Sequence, residues 1–169
     1  MNTADSYTQK VKGKVVTFTH LGAKTVPFEQ VTSVAVVPFT ASGQLVVVNL
    51  RHRGLDLPGG HVEPGEQTPE ETARREVQEE ACMTIRSLML VDVIQSDFFS
   101  TPSYMLIYAA YVDELQSFVP SREASERLIV MPEQFVEQYE AGNKAFMERA
   151  VTRAQACLFL SSFNRDNEI

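Results

Sequence analysis

Residues 57–83 read LPGGHVEPGEQTPEETARREVQEEACM. Gly59 and Gly60 mark a tight turn, and Thr68-Pro69-Glu70-Glu71 then opens a helix: Thr68 is the N-cap, proline suits the first helical position, and Glu71 at N3 completes a capping box. The helix is expected to run to about Cys82. Glu76, Glu79 and Glu80 fall on it at i, i+3 and i+4, which brings three carboxylates onto one face. On a wheel of ~100° per residue, Ala73, Val77 and Ala81 form the buried stripe and the glutamates border it. Like charges held so close repel one another. A hard divalent cation such as Mg²⁺, which takes one or two carboxylates together with substrate phosphates, relieves that repulsion. The stretch therefore predicts a metal site at the edge of a core.

On the N-terminal side, residues 31–39 and 44–50 are short β-rich runs separated by Thr40-Ala41-Ser42-Gly43, which reads as a hairpin with Gly43 in its turn. The second run leads into Arg51 and Arg53, just ahead of the glycine turn. Arginine suits bidentate phosphate recognition, so both are candidates for binding substrate. Further upstream, Lys10, Lys12 and Lys14 precede the strand-like VVTFTH and read as a solvated edge. On the C-terminal side, residues 85–95 and 103–113 read as two long antiparallel strands. A polar loop over 116–127 carries Glu123 and Glu126 ahead of the apolar run 128–131. A helix over 132–141 ends at Gly142, and Asn143 caps a last helix in which Phe146, Ala150, Ala154, Cys157 and Leu158 recur at helical spacing.

With 169 residues, 44% hydrophobic and 22% charged, the chain suits one globular domain spanning 1–169. A net charge of −7 argues against a nucleic-acid partner, because duplex binding rests on clustered Lys and Arg; a small anionic substrate carried with its own metal is compatible. Cys82 and Cys157 form neither a disulfide framework nor a zinc pattern, and free thiols suit a reducing compartment. The N-terminal MNTADSYTQKVKGK has no apolar signal core, and the longest apolar runs are too short to span a bilayer. The expected setting is cytoplasmic, with no membrane partner.

The stretch resembles the signature of the Nudix hydrolases, G-x5-E-x7-R-E-U-x-E-E-x-G-U with U aliphatic. Gly60 matches the first glycine, Glu66 the first glutamate, and Arg75-Glu76-Val77-Gln78-Glu79-Glu80 the helical half; Leu57-Pro58-Gly59 and Met83 also fit. Two positions depart from it. Eight residues separate Glu66 from Arg75 where the pattern has seven, and Cys82 stands at its last glycine. The extra residue precedes the Thr68 cap, so the loop is expected to absorb it without turning the glutamates off their face. Cys82 is expected to change how the helix ends.

The resemblance implies an α/β/α sandwich around a mixed β-sheet, and hydrolysis of a nucleoside diphosphate linked to a further group X. The implied cofactor is Mg²⁺, with Mn²⁺ as the alternative. It further implies Glu76 and Glu80 as metal ligands, Glu79 as a ligand or the general base, and the Gly60 carbonyl as another ligand. Arg75 and Glu66 would orient the glutamates. In related enzymes the base comes from a later loop, for which Glu123 and Glu126 are the candidates. The competing reading is a nucleotide-binding or regulatory module of the same fold that turns nothing over; such a module is expected to lose the helix glutamates first, and all three are present. The expected partner is a small nucleotide-type molecule, the expected assembly a monomer or a homodimer joined through strand edges.

Overall fold

Short β-branched runs alternate with turn residues along most of the chain, and each becomes a strand. The computed structural model describes residues 5–166, with side chains through 161. The first half contains β1 (Ser6–Val11), β2 (Lys14–His20), β3 (Val31–Phe39), β4 (Leu45–Leu50), β5 (Gly54–Asp56) and β6 (Gly59–His61). Then follow α1 (Pro69–Ala81), β7 (Met83–Ser96), β8 (Ser103–Leu115), β9 (Ala124–Val130), α2 (Pro132–Gln138) and α3 (Lys144–Asp166). Among the described residues the strands form one mixed sheet in the order β1-β2-β7-β8-β3-β4-β5, with β6 paired to β3 and β9 to β4. β3 and β8 run parallel, from Val31 opposite Tyr104 to Phe39 opposite Tyr111. The other ladders are antiparallel.

Side chains alternate across a strand, so neighbouring valines serve opposite faces. Val36 and Val46 pack with Ala73, Val77 and Ala81 of α1 in one core. Val37 and Val47 pack with Phe135 of α2 and Met147, Ala150, Val151, Ala154 and Leu158 of α3 in the other. Helices cover both faces, which is the expected α/β/α sandwich. A strand buried on both sides reads as a continuous apolar run, and that is why 31–39 shows so little polar alternation.

The structure differs from the sequence reading in several elements. The pair 31–39 and 44–50 is a hairpin only at its base, where Phe39 meets Leu45; beyond it the strands part, and β4 pairs with β5 and β9. Ahead of VVTFTH lies β1, a polar edge strand joined to β2 by a turn with Lys12 and Gly13 at positive φ of 48° and 83°. β9 begins at Ala124, inside the stretch read as loop. α2 stops at Gln138, and the Tyr139 ring is what occupies the space beside Gly142, whose Cβ would lie 2.7 Å from the tyrosine hydroxyl. Asn143 does cap α3, its Oδ1 accepting from the Phe146 N–H at 2.9 Å.

Away from the glycine turn, buried Asp92 of β7 ties three elements together. It accepts from the Gly22 N–H at 2.9 Å and meets His20 Nδ1 of β2 at 2.8 Å, while Arg153 of α3 approaches to 3.5 Å. Burial alone would raise the Asp92 pKa. The His20 hydrogen bond and charge, Arg153 and the Gly22 N–H outweigh it and hold the carboxyl below its ordinary value. No described helix is long and apolar enough to cross a membrane.

Candidate active site

The site grows from β6 and the first turns of α1. Thr68 Oγ1 accepts from the Glu71 N–H at 3.3 Å, which fixes where the helix starts. The reciprocal bond is displaced by one residue: Glu71 Oε2 accepts from the Gln67 N–H at 2.7 Å. From that start the helix carries its glutamates toward the glycine turn. The Gly59 N–H donates to Glu80 Oε2 at 3.0 Å, and a Cβ at Gly60 would overlap the Glu76 carboxylate, its Cδ only 2.7 Å away. Glycine is therefore needed at residue 60 because a carboxylate occupies the place of its side chain.

Arg75 connects the loop, the strand and the helix. Its Nε donates to Glu66 Oε1 at 2.7 Å, Nη1 to Glu76 at 2.8 Å and Glu79 at 3.1 Å, and Nη2 to the His61 carbonyl at 2.8 Å. Glu66 Oε2 in turn accepts from the Glu63 N–H at 2.8 Å and Thr72 Oγ1 at 2.7 Å. The longer loop thus leaves Glu66 beside Arg75, because the extra residue lies between it and the cap. Six hydrogen bonds donated by Arg75, Thr72 and the loop backbone make this a built connection, and the Arg75 hydrogen bond is the main reason the Glu66 pKa falls to about 2. For Arg75, burial works against the charge, but Glu66 and Glu76 more than offset it and the guanidinium pKa rises.

At the far end of α1, Cys82 changes the helix terminus less than its side chain suggests. It adopts the left-handed conformation itself, at φ 49° and ψ 53°, with its N–H donating to the Gln78 carbonyl at 3.2 Å. Its sulfur accepts a weak hydrogen bond from the Val119 N–H at 3.5 Å. A non-glycine residue there costs ~1 kcal/mol, and the glutamate face is unaffected.

The three glutamates are not equivalent. Glu76 and Glu80 are buried, at 7% and 3% exposure, whereas the Glu79 side chain is 57% exposed. Burial is the main cause that pushes the Glu80 carboxyl up to about 8; nearby Glu76 and Glu123 add to it, and the Gly59 N–H and Arg53 pull the other way. Burial likewise raises Glu76, against the pull of Arg75. These carboxylates face a cavity of about 350 Å³ that Glu63, Arg75 and Glu79 also line, closed on another side by Ser121, Arg122 and Glu123.

Of the residues expected in the site, Arg75, Glu76, Glu79, Glu80 and Glu123 come together around that cavity, with Glu66 and Gly60 directly behind them. Glu126 is exposed on β9 opposite Asn49 and does not line the cavity. Nor do the two arginines. Arg51 supports the 121–123 turn, donating from Nε to the Ser121 carbonyl at 3.2 Å, and Arg53 lies 3.8 Å from Asp56. Arg122 and Ser121 were not legible beforehand; the charged Arg-Glu pair at 122–123, just ahead of an apolar run, was their only trace.

Whether these residues suit a metal follows from their own chemistry. Among the described residues no group of three or more His, Cys, Asp or Glu side chains is arranged to hold a metal ion. Arg75 donates to both Glu76 and Glu79, and burial sets Glu76 and Glu80 apart as a pair. Two adjacent buried carboxylates whose ionisation is resisted by burial and by neighbouring glutamates gain from a nearby positive charge, and they are hard oxygen donors at the edge of an open cavity. That donor set fits Mg²⁺ or Mn²⁺, which keep positions for water and substrate phosphates.

The mixed sheet between helices presents a capped glutamate helix against a glycine turn. The NUDIX domain family model matches residues 29–150, and the chain belongs to that family, hydrolases of phosphoric anhydride bonds. Among solved structures, the pyrophosphohydrolase BsRppH of Bacillus subtilis is similar at 22% identity and a TM-score of 0.70, over 92% of this chain and 97% of that one. A NUDIX hydrolase from Nitrosomonas europaea is similar at 18% identity and a TM-score of 0.61, over 75% and 88% of the two chains. An Ap4A hydrolase of C. elegans follows at 19% identity and a TM-score of 0.58, over 75% and 96%. At these identities the likeness establishes the shared fold.

Proposed function

We propose that the protein is a divalent-metal-dependent pyrophosphohydrolase, using Mg²⁺ or Mn²⁺, that cleaves a nucleoside diphosphate linked to a further group X. The observation that carries this reading is the cavity in which buried Glu76 and Glu80, exposed Glu79 and Glu123, and two guanidiniums meet. Glu76, Glu80 and the Gly60 carbonyl would hold the divalent cation, which would supply positive charge against the substrate phosphates and the departing phosphate oxygen. The remaining work falls to the chain's own groups. Arg75 holds Glu76 and Glu79 in register with the glycine turn. Glu79 and Glu123 present carboxylates to the open part of the cavity, where either is placed to take a proton from the attacking water. The water oxygen bonds to phosphorus, the bridging P–O bond breaks, and the proton passes from the carboxylate to solvent. The same reading treats the described elements as one catalytic unit acting on a small nucleotide-type molecule.

A panel of nucleotides and nucleotide derivatives, incubated with Mg²⁺ and resolved by product, tests the activity: release of a nucleoside monophosphate, pyrophosphate or phosphate is expected. No turnover across the panel, combined with tight nucleotide binding, would replace the enzyme with a binding module. Glu79→Gln and Glu123→Gln assign the base, since losing general-base help costs ~10² to 10⁴ in kcat. If neither variant loses tenfold, a carboxylate base is wrong.

A further inference from the structure

We propose that Arg122, at the tip of the turn joining β8 to β9, is the side chain that grips a substrate phosphate in this cavity; this assignment rests on the hydrolase reading above. The cavity is lined by Glu63, Glu76, Glu79, Glu80 and Glu123, so an anion meets a wall of carboxylates. Among the described residues, Arg75 and Arg122 are the cationic side chains that line it. Arg75 is committed, donating to Glu66, Glu76, Glu79 and the His61 carbonyl. Arg122 makes no hydrogen bond or ion pair with any described residue, and its exposed guanidinium opens onto the cavity. A phosphate entering against α1 therefore finds its one uncommitted protein cation on the 121–123 wall, and a guanidinium can meet two phosphate oxygens at once.

The turn that presents Arg122 is held in place. Its ends close through the Ser121 N–H to the Ala124 carbonyl at 2.9 Å, and Ser121 Oγ accepts from the N–H groups of Glu123 and Ala124 at 3.2 and 2.9 Å. From the end of β4, the Arg51 N–H donates to the Glu123 carbonyl at 2.8 Å and Arg51 Nε to the Ser121 carbonyl at 3.2 Å. Arg51, expected to bind phosphate directly, acts here as a positioning residue for the arginine that does. A turn braced at both ends places Arg122 and Glu123 together, phosphate grip beside carboxylate, with little left to order on binding.

The test compares wild type with Arg122→Ala and Arg122→Lys, using Arg86→Ala, an exposed arginine on β7, as the control for charge loss. Two readouts are needed: KM and kcat on the best substrate from the panel, and affinity for inorganic pyrophosphate with Ca²⁺ replacing Mg²⁺, measured calorimetrically. Arg122→Ala is expected to raise KM and weaken pyrophosphate each by about 10- to 100-fold, with Arg122→Lys recovering part of both and Arg86→Ala changing neither. If wild type hydrolyses a substrate and Arg122→Ala keeps its KM and pyrophosphate affinity within twofold, the Arg122 assignment is overturned while the enzyme stands. If wild type hydrolyses nothing but binds pyrophosphate and Arg122→Ala loses that binding, the phosphate grip stands and hydrolysis falls.

Discussion

Replacing Glu66 by glutamine changes one atom and disturbs three hydrogen bonds. In the wild type Oε1 faces Arg75 Nε while Oε2 accepts from the Glu63 N–H and Thr72 Oγ1. An amide keeps one acceptor and turns an NH₂ toward whichever donors remain. The Thr72 hydroxyl can rotate to accept, but the Glu63 N–H cannot. The carboxyl pKa drops from 4.5 to about 2 chiefly through Arg75, and that shift sets a ceiling of ~3.4 kcal/mol on its contribution to stability. The loop around Glu66 is mostly exposed, so solvent screening brings the expected loss at pH 7 to ~1.5–2.5 kcal/mol. Because the folded pKa is depressed, this stability is fully present above pH ~4.5 and is lost as pH falls toward ~2. Urea unfolding of wild type and Glu66→Gln at pH 7, 5 and 3 should show a difference that holds between pH 7 and 5 and falls below half by pH 3. Under the proposed metal-dependent mechanism, removing a partner that orients Arg75 and the helix glutamates should also cost about tenfold or more in kcat. A difference that is independent of pH, or a fully active variant, would mean that Glu66 does not support the glutamate helix through its charge.

Gly60→Ala should displace the Glu76 carboxylate, since the new Cβ would overlap it; a loss of ~1–3 kcal/mol and weaker Mn²⁺ binding are expected, read by thermal unfolding and metal titration. Asp92→Asn should destabilise by ~3 kcal/mol at pH 7, because it leaves His20 and Arg153 facing an amide in a buried setting. That loss should shrink in acid, where the wild-type carboxyl also becomes protonated. Thr68→Ala should cost ~1 kcal/mol in thermal unfolding without moving the metal affinity, as expected for a cap remote from the glutamate face.

What could be read beforehand was local. The cap at Thr68, the proline after it and the glutamate spacing all act within two turns of helix, so the sequence contains every group that decides them. The same is true of the helical half of the site, from Arg75 to Glu80. Elements set by distant partners were read less well. The 31–39 and 44–50 runs look like a hairpin because nothing nearby shows that 31–39 will pair with β6 and β8. β1 was missed because SYTQKV is a polar edge strand with little apolar content to announce it. Cys82 was expected to alter the helix end because cysteine seldom takes a left-handed conformation, yet the surrounding chain imposes it. Arg122 escaped because an exposed arginine in a polar loop looks the same whether it faces solvent or a cavity. The place of Arg51 at a strand end is visible in the sequence, whereas the 121–123 turn it hydrogen-bonds is set by distant chain and is not.

The parallel pairing of β3 with β8 also governs when the site forms. The loop between these strands contains the glycine turn, the whole of α1 and all of β7. Closing so large a loop comes late and slowly, as non-local strand pairing does. As the chain leaves the ribosome, α1 emerges well before β8, and β3 waits with one long edge unmatched. During that interval its apolar run is a template for any passing strand, and refolding at high concentration should divert into aggregates at this step more than at any other.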